Sequence, residues 1–136
     1  MIDRRDPLTP LGKVRLVVSV LATFVNVHRS LRRHPLPRAV GALGAAPPAW
    51  WSALRPSRLS RVVHLTLHLG PWRPRCLVLA LVLYRLLRAQ GTEADLVIGL
   101  PIDAVDKDAH AWVEIDGVDI GPPPGKGVHE ELARYR

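Results

Sequence analysis

Apolar residues recur at helical spacing through Leu16, Val20, Phe24 and Val27, and Pro10 suits the first turn of a helix that runs to about Arg33. Pro35 and Pro37 stop it. A short helix around Arg38 to Leu43 follows, ending near Gly44. Ser57 has the side chain of an N-cap for a third helix, from about Arg58 to Leu69, closed by Gly70 and Pro71. The next segment, Leu77 to Arg88, is apolar nearly all round. Such a helix has no face for water and belongs at the centre of a core, with Gly91 as its C-terminal stop. Beyond it the period changes. Asp95 to Leu100 reads as a strand, and HAWVEIDGVDIG reads as a hairpin turning at Asp116-Gly117, because a type I′ turn needs positive φ at both positions. The remaining PPPGKGVHEELARYR reads as an extended Pro/Gly loop ending in a helical turn. The pattern as a whole predicts an α+β domain: a helical N-terminal part over residues 1–56, then a core over 57–136 in which a central helix packs on a small antiparallel sheet.

Composition adds limits. With 136 residues and 48% hydrophobic residues the chain suits one folded domain. The formal charge is +7, and 16 of the 19 basic residues are Arg. No zinc finger, helix-turn-helix or RNA-binding aromatic motif accompanies them, so nucleic acid is not the expected partner. The apolar run Val14–Val27 is shorter than the ~20 residues a bilayer requires. Asn26 and His28 follow it without a small-residue cleavage site. It reads as a buried or partner-facing helix of a cytoplasmic protein, with no membrane association expected.

A single cysteine excludes an internal disulfide and a zinc site built from Cys pairs. Cys76 stands at the first turn of the apolar helix, where unpaired backbone N–H groups and the helix dipole favour a thiolate. The same N–H groups can stabilise an oxyanion, and Arg73 and Arg75 add positive charge nearby. His110 opens the first hairpin strand, which holds an imidazole in the fixed geometry that a thiolate–imidazolium pair requires. A third group should orient the imidazole. Asp119 is the acid on the second strand that shares a face with His110; an ideal ladder pairs it with Glu114 and leaves it four positions, roughly 13 Å, along the strand at about 3.3 Å per residue. Asp103, Asp106 and Asp108 in the preceding loop are its rivals, and a backbone carbonyl or amide is a further candidate for orienting the ring. Trp112 reads as a core or pocket-wall aromatic and Glu114 as a solvated strand carboxylate. His64 and His68 have metal-ligand spacing on one helix face, but without a His-Glu-x-x-His pattern they read as packed or surface histidines.

The segment RCLVLALVLYRLLRAQGTEADLVIGL followed by AHAWVEIDG resembles the transglutaminase-like, papain-fold cysteine peptidases of lasso peptide biosynthesis. The resemblance covers about Arg73 to Gly121. It implies a leader peptidase: a Cys76 acyl-enzyme, His110 as base and Asp119 as acid, acting on a ribosomally made precursor without a cofactor. It also implies partners, namely the precursor's leader, a separate leader-recognition protein and an ATP-dependent cyclase that closes the freed core. The N-terminal part would then dock the leader or the recognition protein. An acyl-transferase of the same fold and a non-catalytic peptide-binding or membrane-associated module are the competing readings.

Overall fold

In a computed structural model, the described residues are 10–45, 55–68, 76–101, 110–121 and 129–135. They form four helices and one four-stranded antiparallel sheet: α1 (Pro10–Arg33), α2 (Leu36–Gly44), α3 (Pro56–His68), α4 (Cys76–Ala89), β1 (Asp95–Pro101), β2 (His110–Ile115), β3 (Val118–Gly121) and β4 (His129–Tyr135). The strand order is β3-β2-β1-β4. This is the α+β class expected from the pattern.

α4 is the axis of the molecule. Residues 78–84, 86 and 87 are all buried, as an all-round apolar helix requires. α1 packs on it through Leu16, Val20 and Val27, α2 through Val40 and Leu43, and α3 through Leu59, Val63 and Leu67. Leu96, Ala111 and Val113 bring the sheet into the same cluster. One core thus draws on residues from both sides of position 56.

Several boundaries moved for identifiable reasons. Pro37 opens α2 instead of ending α1, since a proline in the first turn sacrifices no intrahelical hydrogen bond. Likewise Pro56 starts α3, placing Ser57 inside the first turn and Arg55 before it, with the Leu59 N–H donating to the Arg55 carbonyl at 2.9 Å. Ser57 is therefore not the N-cap. The end of α4 is as expected: Gly91 has φ 81°, its N–H donates to the Arg88 carbonyl, and the Thr92 N–H donates to that of Leu87, a Schellman closure. The hairpin also forms at Asp116 (φ 51°) and Gly117 (φ 77°), with Ile115 opposite Val118.

The chain's end differs outright. HEELARY is not a helical turn but strand β4, added to β1 at the sheet edge. Its helix-favouring residues yield to ladder hydrogen bonds and to the ion pairs of Arg134 described below, neither of which has a local sequence signature.

α1 is longer than the apolar run alone suggests, and its Gly12–Arg33 stretch is long and apolar enough to cross a membrane by length and composition. Its inner side is committed to the core, with Leu16, Val20 and Val27 no more than 2% exposed.

α2 meets α4 at close range. A Cβ built on Gly44 would stand 2.8 Å from the Tyr84 hydroxyl and 3.2 Å from its ring, and Tyr84 is too deeply buried to yield. The Arg85 and Arg88 guanidinium groups donate to the Leu43 and Gly44 carbonyls, fixing this helix end further. Gly44→Ala is expected to cost about 1–3 kcal/mol by overpacking, read as a fall in urea midpoint. Adding Tyr84→Phe, which removes the nearest atom, should recover part of that loss.

Candidate active site

Cys76 is the first residue of α4 and is half-buried. His110 is the first residue of β2 and is also half-buried. The topology relates them. The Schellman closure reverses the chain after α4, and β1 begins at Asp95 and runs back beneath the helix, with Leu96 in the shared core. Antiparallel pairing then sets Gly99, late in β1, opposite His110. Asp95 to Gly99 spans roughly 13 Å and α4 about 20 Å. His110 is thereby carried toward the end of the helix-on-sheet layer at which α4 begins. Ala111, its neighbour, is 2% exposed and packs in the α4 cluster.

Strand alternation divides β2 into two faces. Ala111 and Val113 pack in the α4 cluster, while Trp112 and Glu114 lie on the opposite, outer face, and His110, at the open end of the strand, stacks on Trp112. That face is no solvated surface. Trp112 and Glu114 are each 2% exposed, and Val97 of β1, paired with Trp112, is fully buried. Glu114 is thus not the solvated carboxylate that its place in the strand suggests. Its Oε2 accepts the Trp112 indole N–H at 2.8 Å, and its Oε1 accepts from Arg134 at 3.0 Å. A buried carboxylate is tolerable only with such partners. Arg134 also binds Asp95 and Glu131, both at 2.7 Å, and these hydrogen bonds hold its guanidinium more firmly protonated than an ordinary arginine.

Asp119 stands opposite Glu114, as an ideal hairpin requires. It is four positions along β2 from the level of His110, roughly 13 Å at about 3.3 Å per residue. The register shift between Val113 and Glu114, which sets Gly121 opposite Val113, adds a residue to β3 beyond Asp119 and brings that carboxylate no nearer. Asp103, Asp106 and Asp108 lie outside the described residues, as do Arg73, Arg75, Trp50 and Trp51. No cluster of three metal-ligating side chains occurs among the described residues. His64 and His68 stack on each other at 4.1 Å, with the His68 Nδ1 2.7 Å from the His64 carbonyl oxygen.

What sequence reasoning missed here is Arg134 and the true setting of Glu114. Arg134 sits in a tail that carries no strand pattern, and its three carboxylate partners come from three different strands.

Comparison with curated proteins finds no match, and comparison with solved structures finds none either. A family model does match, that of the transglutaminase-like superfamily, over residues 18–133. It reaches well beyond the Arg73–Gly121 stretch that carries the motifs, into α1 at one end and β4 at the other. With a helix that opens on the lone cysteine, an adjoining strand that opens on histidine and a match over most of its length, the chain belongs to the transglutaminase-like superfamily, which includes cysteine peptidases and acyl-transferases.

Proposed function

We propose that the protein is a cysteine peptidase that removes the leader from a ribosomally synthesised lasso peptide precursor. The observation that supports it most is the junction of α4, opening on Cys76, with the HAWVE strand that opens on His110. In this reading the Cys76 thiolate attacks the carbonyl carbon of the last leader residue. Backbone N–H groups at the start of α4 stabilise the oxyanion. The tetrahedral adduct breaks its C–N bond, His110 gives its proton to the departing amine, and the core peptide leaves with a free N-terminus. The leader remains as a thioester on Cys76. Water, deprotonated by His110, then releases it as a carboxylic acid and restores the thiol. No step needs a cofactor. Asp119 keeps a place in the proposal only as the acid of the second hairpin strand. Its distance from His110 predicts that Asp119→Ala leaves most activity intact.

An acyl-transferase of the same fold would pass the thioester to an amine. Product masses separate the two: hydrolysis yields the leader acid, whereas transfer yields the leader joined to an added amine. Leader acid as the sole leader product, with an amine present, supports the peptidase.

The partner in this reading is a separate leader-recognition protein, with the cyclase acting afterwards in the cytoplasm. Charge complementarity supports a meeting place. Residues 7–92 contain thirteen Arg and Lys and no Asp or Glu, whereas ten of the twelve carboxylates lie in 93–136. On the outward side of α1, exposed Val14, Val17, Val18 and Val25 form an apolar stripe, with Lys13 and Arg15 at one end and Arg29 and Arg32 at the other. A second copy would set like charges against each other, whereas an acidic, apolar face of a recognition protein would complement it. Val18→Asp with Val25→Asp should abolish stimulation by that protein while leaving the enzyme's unassisted rate unchanged. Equal stimulation of variant and wild type would refute this surface.

A further inference from the structure

Behind His110 lies a connected set of groups, Trp112, Glu114 and Arg134, that the Cys76–His110 chemistry does not itself use. The His110 imidazole is stacked with the Trp112 indole, ring centroids 6.0 Å apart and planes 28° from parallel. Trp112 is nearly sealed from solvent, and its Nε1–H donates to Glu114 Oε2 at 2.8 Å. The other oxygen of Glu114 is held by Arg134 Nη2 at 3.0 Å. Arg134 is anchored in turn by Asp95 on β1 and by Glu131 on its own strand. The set therefore ties β1, β2 and β4 together behind one imidazole.

From this geometry we infer that Trp112 is a positioning residue for His110, and that Glu114 and Arg134 fix Trp112 in turn. An imidazole at the start of a strand retains rotation about two side-chain bonds. A neighbouring indole plane removes much of that freedom, provided the indole is itself immobile. Packing alone fixes its position but not its in-plane anchoring. The N–H bond to a carboxylate supplies the anchor, and Arg134 holds that carboxylate in place. An intact Trp112–Glu114 bond thus holds the base in one orientation before any substrate arrives.

This inference rests on the reading of His110 as the base, but the ordering of its ring can be measured without activity. The experiment uses the full chain, labelled with ¹⁵N, and follows the His110 ring nitrogens by NMR together with the rate at which iodoacetamide alkylates Cys76. Wild type should give one sharp set of His110 ring signals. Trp112→Leu should broaden or split them and slow alkylation about tenfold, since a disordered imidazole supports the thiolate only part of the time. Trp112→Phe, which keeps a ring but loses the N–H, should fall between. A folded Trp112→Leu protein with wild-type His110 signals and wild-type alkylation would overturn the inference. Should that variant fail to fold, Glu114→Leu decides, because it strips the indole of its acceptor while leaving Arg134 two carboxylates. Unchanged His110 signals there overturn the inference equally. If instead Cys76→Ala still removes leader, the peptidase reading falls, while the His110 signals continue to report on Trp112.

Discussion

Arg134→Met is expected to destabilise the fold by about 3 kcal/mol, the lower end of the range for removing one partner of a buried ion pair. Glu114 is the reason: its side chain is 3% exposed, and Arg134 is its cationic partner. The lower end applies because the Arg134 side chain is itself 25% exposed and water can take up part of the lost interaction. For a domain of this size the loss should lower the melting temperature by about 10 °C. A double variant with Glu114→Gln checks the cause. The amide oxygen still accepts from Trp112 but carries no charge to leave stranded, so the double variant should be more stable than Arg134→Met alone. A double variant no more stable than the single one would show that the charge on Glu114 is not what Arg134 supports.

Cys76→Ala is expected to reduce precursor cleavage at least about a thousandfold with no loss of folding, and His110→Ala to reduce it on the order of a hundredfold or more. Neither residue is deeply buried, so melting temperatures within ~2 °C of wild type should accompany both losses. The two substitutions combined should also be far from additive, because in the proposed chemistry each disables the same step. Normal cleavage by the Cys76→Ala protein would remove it from the chemistry altogether.

Most of what positions these two residues is local and was readable along the chain. Proline and glycine punctuation bounded the helices, the all-round apolar stretch after Cys76 announced the buried axis, and Asp116-Gly117 specified the hairpin register. What could not be read depends on contacts far apart in sequence. β4 carries Glu130, Glu131, Leu132 and Ala133, residues with no strand preference, and becomes a strand only because β1 offers it a ladder. Glu114 looks like any polar residue in an alternating strand until Arg134, 20 residues later, arrives to neutralise it. Ser57 failed as a cap for a local reason: an adjacent proline claimed the first helical position.

The charge division between the acid-free helices and the carboxylate-rich sheet was present in the sequence throughout. Net charge conceals it, because +7 describes neither part. The two layers therefore differ in charge: the helical one is basic, while the sheet carries pairs such as Asp95–Arg134.

The central claim is that Cys76 forms a covalent acyl-enzyme with the leader. It is tested most directly by quenching a reaction with the precursor in acid and measuring the intact mass of the protein. The expected result is an adduct equal to the leader acid minus one water, carried on Cys76 and disappearing as free leader acid accumulates. Cleavage that proceeds while Cys76 stays unmodified, and that survives its replacement by alanine, would contradict it.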